Sequence, residues 1–232
     1  MKLLVILSSV SNFPKLNKPV GAWLEELYIP LVEFRKAGLI IDFTSPQGGP
    51  VSVDPQSIEM FKNNTLFETY KNDKELEIKL RTTIPLEKID PNEYVAVFIP
   101  GGYAPLFDLH QNPKLDLVLQ DFIEKNKIIS TICHAGCALV SLKSKIGTSF
   151  VDGKRVTSFT DAEEKEMTLE NDIPCLVETE LRKLGAKFES TENWGECVCI
   201  DGNLITGQNP ASAYKLSQAI LQGLGGLDET KR

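Results

Sequence analysis

Short apolar runs of strand length alternate along the chain with longer segments in which apolar positions return every three or four residues. The short runs predict strands at Lys2 to Leu7, Ile40 to Thr44, Tyr94 to Ile99 and Lys127 to Ile132. Of these, Tyr94-Val-Ala-Val-Phe-Ile99 is apolar on both faces, as a central parallel strand covered by helices on each side requires. From Trp23 to Lys36 the positions Trp23, Leu24, Leu27, Leu31 and Phe34 follow helical spacing, and Gly38 supplies the stop. Leu115, Val118, Leu119 and Phe122 form a second helical stripe within Leu115 to Lys125. Glu163 to Glu170 and Cys175 to Leu184 also predict helices, the latter closed by Gly185. Glu196 to Thr206 predicts a hairpin around Asp201-Gly202, and Ala211 to Leu221 a final helix. Strands alternating with helices predict an α/β fold with a mostly parallel sheet.

Between Pro46 and Pro91 the pattern loosens, and Lys71 to Arg81 is a charged helical stretch. Residues 46–91 are expected to form a small cap or helical excursion within a single domain spanning 1–232, since no repeat, low-complexity tract or linker divides the chain. With 42% apolar and 25% charged residues the composition is that of an ordinary globular protein. A net charge of -7 argues against a nucleic-acid partner, which requires a positive surface. Leu3 to Leu7 is far shorter than the roughly 20 residues of a spanning helix, so no membrane association is expected. Five dispersed cysteines lack the dense spacing of a secreted disulfide scaffold and place the expected location in the reducing cytoplasm.

The segment carrying the most chemistry is Ile128-Ile-Ser-Thr-Ile-Cys133-His134-Ala-Gly136. A strand that ends on a cysteine and passes through small residues toward a helix has the layout of a nucleophile elbow. Such a turn lifts the side chain above the carboxyl ends of the strands, and a following helix N-terminus is expected to lower the thiol pKa. The plainer alternative is that Cys133 packs as a small apolar residue. His134 is the nearest base, although neighbours on a helix diverge by about 100°. An imidazole in this role needs an acid to fix its tautomer, and Glu163 or Glu164 in Phe159-Thr-Asp-Ala-Glu-Glu164 offers one. His110, among Asp108, Gln111 and Asn112, is expected to meet solvent. One of Glu25 and Glu26 is expected to face inward, where a buried carboxyl stays protonated. Gly101 and Gly102 after the central strand would let backbone N–H groups approach a reacting oxygen. Cys197 and Cys199 share strand spacing, but no second ligand pair completes a zinc site, so no metal is expected. No phosphate loop or dinucleotide fingerprint supports a nucleotide cofactor, and no cofactor is expected.

These residues resemble the ThiJ/PfpI group of the class I glutamine amidotransferase-like superfamily, in the branch of glutathione-independent glyoxalases (glyoxalase III) and related small heat-shock chaperones. The resemblance runs nearly end to end. It rests on Gly21 through Glu26 to Pro30, Ile99-Pro-Gly-Gly-Tyr103 with Leu106-Phe107-Asp108, Ile132-Cys-His134, Asp152-Gly-Lys154 with Thr157 and Phe159 to Glu164, and Thr206-Gly-Gln-Asn-Pro-Ala-Ser212. It implies a flavodoxin-like three-layer sandwich, with helices on both faces of the sheet and a nucleophile elbow. It further implies Cys133 as nucleophile, His134 as its partner, Glu164 as the orienting acid and Glu26 as the carboxyl beside the thiol. The backbone N–H groups of Gly102 and His134 would form the oxyanion hole. Tyr103 stands where many relatives have histidine, and Ala135-Gly136 replaces Gly-Pro. Tyr103 and Trp194 are the expected substrate-binding side chains, Trp194 either lining the pocket or filling the core.

The activity implied is conversion of methylglyoxal, or a related 2-oxoaldehyde, to a 2-hydroxy acid. Alternatives are a stress chaperone that holds unfolded client proteins, a thiol hydrolase acting on amides or peptides, a protein deglycase, or a redox sensor. A homodimer is the expected assembly.

Overall fold

The computed structural model describes residues 1–229. In chain order its strands are β1 (Lys2–Ile6), β2 (Asn12–Phe13), β3 (Lys18–Pro19), β4 (Ile40–Ser45), β5 (Ile84–Pro85), β6 (Ala96–Ile99), β7 (Ile128–Ile132), β8 (Arg155–Val156), β9 (Lys187–Phe188), β10 (Val198–Asp201) and β11 (Leu204–Gly207). Seven of them form one sheet in the order β10-β11-β7-β6-β1-β4-β5. All its neighbours run parallel except the β10–β11 hairpin, whose turn is Gly202-Asn203. β2 pairs with β3, and β8 with β9, in two small ladders outside the main sheet.

The helices are α1 (Leu24–Lys36), α2 (Pro55–Phe61), α3 (Phe67–Lys71), α4 (Lys74–Arg81), α5 (Pro105–Asp108), α6 (Pro113–Glu124), α7 (Asp161–Met167), α8 (Val177–Lys183) and α9 (Ala213–Glu229). Because side chains alternate along a strand, β1 sends Leu3 and Val5 to one face and Leu4 and Ile6 to the other. The first pair packs with Leu27, Leu31 and Phe34 of α1 and Leu216 and Ile220 of α9. The second packs with Leu115, Leu119 and Phe122 of α6 and Leu181 of α8. Helices on both faces of a mostly parallel sheet make the three-layer sandwich of the flavodoxin-like type. Among the described residues no helix is long and apolar enough to cross a membrane.

The departures from the sequence pattern have local causes. The charged stretch at residues 71–81 is helical from Lys74 as α4, whose start is set by the Asp73 side chain accepting from Leu76 N–H, and a separate short helix, α3, ends at Lys71. α6 begins earlier than its apolar stripe, at Pro113, where Asn112 caps the N–H groups of Lys114 and Leu115. α7 also starts earlier than expected, at Asp161. Its N-terminus is a reciprocal capping box between Thr160 and Glu163, and it stops at Thr168, which adopts a left-handed conformation. α9 runs well past Leu221, since apolar positions continue through Leu224. The edge strand β5 is only two residues long, Ile84–Pro85, too short to show a strand pattern.

After β5 the chain returns as β6 on the opposite side of β1. The sheet therefore reverses direction of growth at β1, and the carboxyl ends of β1, β6 and β7 open toward the same crevice. In open α/β sheets that is where ligands bind.

Candidate active site

Cys133 follows directly on β7 and has φ 58°, a left-handed conformation that a residue with a Cβ rarely adopts. The chain then tightens into a 3₁₀ helix, Cys133–Leu139, in place of the expected α-helix. Beside it, β6 ends in Pro100-Gly101-Gly102. A Cβ on Gly101 would lie 2.7 Å from both Glu26 Oε2 and the Ile132 carbonyl and 2.8 Å from Cys133 Cβ. Gly102, at φ 99°, leaves no room for a side chain against the Gly21 carbonyl. These two glycines let the loop close over the cysteine, and the N–H groups of Gly102 and His134 reach its sulfur.

Although adjacent in sequence, Cys133 and His134 do meet. The sulfur lies 3.3 Å from His134 Nδ1, and Nε2 of the same ring lies 2.7 Å from Glu164 Oε2. Tyr103 completes the line by donating its O–H to Glu164 Oε1 at 2.8 Å. The imidazole packs against Tyr103 and Phe159, with ring centroids 4.4 and 4.3 Å away and planes tilted by 35° and 34°. With Nε2–H donated to Glu164, Nδ1 keeps its lone pair toward the thiol. The tight 3₁₀ turn and the left-handed corner bring the two neighbours together where an α-helix would part them.

Glu26 is the carboxyl of the pair that turns inward; it is fully buried on α1, whereas Glu25 is half-buried. Its Oε2 accepts from Gly101 N–H at 2.9 Å, its Oε1 makes no hydrogen bond, and the thiol of Cys133 lies beside it. Burial raises the Glu26 pKa from 4.5 to about 8. Burial, and next the charge Glu26 would carry, push the Cys133 thiol well above its usual range, with the Gly102 and His134 N–H groups opposing. The expectation of a thiol acidified by a helix N-terminus is therefore overturned. The following turn is short, and desolvation outweighs the N–H groups that face the sulfur.

Cys133 and His134 sit at the floor of a cavity of about 200 Å³. Trp23, Gln56, Met60, Tyr103, Phe159, Met167, Trp194 and Pro210 supply most of its walls. Trp194 lines this cavity rather than filling the core, with 44% of its surface exposed. Its backbone is also left-handed, at φ 63°, and is held there by a carboxyl. Glu163 Oε1 accepts from Trp194 N–H at 2.8 Å, Asn209 Nδ2 at 2.7 Å and Gln208 Nε2 at 3.1 Å. Glu163 Oε2 accepts from the backbone and hydroxyl of Thr160. Glu163 and Glu164 thus divide their tasks, one tying down the Trp194 loop and the other meeting the imidazole.

His110 lies away from this constellation and is not left to solvent as the sequence suggested. It is half-buried, its Nε2 is enclosed without a partner, and burial lowers its pKa. Asp108, from the same motif, accepts from the Ser8 hydroxyl at 2.6 Å and the Ser9 N–H at 2.7 Å, tying the loop after β1 to α5. Gln56 and Met60, on α2, escaped the sequence reading because the pattern of residues 46–91 indicated a cap without saying which side chains face inward. Among the described residues no cluster of three or more His, Cys, Asp or Glu side chains is placed to hold a metal ion.

A mostly parallel α/β sandwich with a cysteine on a left-handed corner at the end of a central strand, backed by a histidine and a carboxyl, defines a cysteine-elbow α/β protein. Residues 21–223 match the DJ-1/PfpI family, and the chain belongs to it. It is 30% identical to the glutathione-independent glyoxalase hsp3101 of Schizosaccharomyces pombe over 95% of this chain and 94% of that one. Among solved structures it is similar to glyoxalase III from Candida albicans, with a TM-score of 0.85 and 26% identity over 96% of this chain and 97% of the other. It is also similar to the 24 kDa Rapid Encystment Protein of Francisella tularensis, with a TM-score of 0.91 and 30% identity over 96% and 98% of the two chains.

Proposed function

We propose that the protein is a glutathione-independent glyoxalase that converts methylglyoxal or a related 2-oxoaldehyde to the corresponding 2-hydroxy acid. The observation that carries this reading is the Cys133 sulfur, 3.3 Å from an imidazole nitrogen and facing two backbone N–H groups at the floor of a cavity. The names of the full-length relatives support it.

A thiol raised by burial does not stand ionised at neutral pH. Deprotonation is instead coupled to attack. As the sulfur bonds to the aldehyde carbon, its proton passes to His134 Nδ1, and Glu164 on the far side of the ring stabilises the imidazolium. The aldehyde oxygen takes up negative charge and is held by the N–H groups of Gly102 and His134. Removal of the proton from the first carbon and its return to the second, through an enediol, leaves a thioester at the first carbon and an alcohol at the second. His134 and Glu26 are the groups beside the sulfur able to carry that proton, and Glu26 with a pKa of about 8 is protonated at neutral pH. Water then cleaves the thioester, releasing the acid and restoring the thiol. The sum is one oxoaldehyde plus one water giving one hydroxy acid; the oxidation at one carbon is balanced by the reduction at its neighbour, so no external redox partner enters.

The test is lactate formation from methylglyoxal without glutathione, by the natural protein and by Cys133→Ala. The expected result is turnover by the former and a loss on the order of 10³-fold or more in the latter, with an unchanged melting profile. Equal lactate formation by the two would overturn the assignment of the sulfur.

A further inference from the structure

The cavity above Cys133 is larger and more apolar than a three-carbon aldehyde needs. A water molecule's share of liquid is about 30 Å³, while the cavity holds about 200 Å³. Its lining is mainly apolar: beside the buried Cys133, His134 and Glu26, and with Gln56 and Tyr103 as further polar side chains, stand Phe159, Met167 and the more exposed Met60 and Trp194. Two aromatic rings of that lining, Phe159 and Trp194, meet edge to face at 63° with centroids 5.5 Å apart.

We propose that the favoured substrates are 2-oxoaldehydes bearing an aromatic or bulky apolar group, with Trp194 as the side chain that selects them. This rests on the glyoxalase reading above and adds the class of group carried by the ketone carbon. With the aldehyde carbon at the sulfur and its oxygen at the backbone N–H groups, the substituent projects into the apolar lining. A methyl group leaves most of that lining wetted; a phenyl ring covers it and gains an aromatic contact.

The indole is built into its place. Its backbone N–H is bound by buried Glu163, and its ring Nε1 donates to Glu166 Oε2 at 2.6 Å. Glu163 fixes the left-handed backbone and Glu166 the ring, so the indole is held in one orientation beside the cavity. Glu166 does not itself line the cavity and acts as a positioning residue through the ring it holds.

The experiment compares glyoxal, methylglyoxal and phenylglyoxal with the full chain, without glutathione, by quantifying glycolate, lactate and mandelate. The expected order of kcat/KM rises from glyoxal to phenylglyoxal, with phenylglyoxal above methylglyoxal on the order of tenfold and the difference carried mainly by KM. Trp194→Ala should collapse that ratio toward unity. Glu166→Ala should lower it through KM while Glu166→Gln, which keeps an acceptor for the indole N–H, restores it. These two surface variants also serve if Trp194→Ala fails to fold. Turnover of methylglyoxal that equals or exceeds that of phenylglyoxal overturns the aromatic preference and leaves the glyoxalase reading standing. A natural ratio that persists in Trp194→Ala, or in both Glu166 variants, overturns the role of Trp194. No turnover of any of the three aldehydes overturns the glyoxalase reading and this inference with it.

Discussion

Replacing Glu26 by glutamine should remove much of the pH dependence of folding stability between pH 5 and 8. The carboxyl is fully buried, and its pKa rises from 4.5 to about 8 on folding. Between those two values the folded chain holds a proton that the unfolded chain has released. Stability from this group is therefore fully present below 4.5 and is lost as pH rises through about 8, at about 1.4 kcal/mol per pH unit between them. From pH 5 to pH 8 the loss comes to roughly 3 to 4 kcal/mol, a large part of the 5–15 kcal/mol typical of a folded domain. Glutamine has nearly the same shape, keeps an oxygen for the Gly101 N–H and does not titrate. Urea unfolding of both proteins at pH 5, 6, 7 and 8 reads the effect directly. The natural protein should lose stability relative to Glu26→Gln by the stated amount across the series, with m-values unchanged. Curves that stay parallel to within about 1 kcal/mol would refute a carboxyl held protonated in the folded state.

Other substitutions test separate parts of the structure. Tyr103→Phe removes the O–H donated to Glu164 and should lower kcat by about tenfold with folding retained, as measured by steady-state turnover and near-UV circular dichroism. Gly101→Ala drives a methyl group to 2.7 Å from Glu26 Oε2 and from the Ile132 carbonyl. It should cost about 1–3 kcal/mol in urea unfolding and abolish turnover, and a stable, active variant would contradict the close packing of that loop. Phe122→Ala empties a fully buried position between α6 and the sheet. It should cost about 3–5 kcal/mol without altering KM in the folded fraction.

The sandwich was legible because buried parallel strands write continuous apolar runs, as in residues 94–99 and 128–132, and the amphipathic helices α1 and α6 write stripes. β5, at the sheet edge, is too short to write either. The convergence of Cys133, His134 and Glu164 was foreshadowed by family resemblance rather than by spacing, since helical geometry would have parted the first two. What the sequence could not carry was the depth of burial. Whether the turn after β7 exposes or encloses its thiol depends on Gly101, Gly102 and Glu26, which arrive from elsewhere in the chain, and enclosure reversed the expected direction of the thiol pKa. Trp194 lay open between wall and core for the same reason, because its place is set by the distant Glu163 and Glu166.

α7 carries two successive carboxyls whose directions differ by about 100°. One steadies the imidazole and its neighbour anchors the loop that bears the indole. Reactivity and entrance width are therefore mechanically geared to one another: a tilt of this short helix would turn both arms at once. Retuning the doorway without disturbing the imidazole can begin in the Trp194 loop or at Glu166, whereas displacing α7 as a whole should damage selection and turnover together.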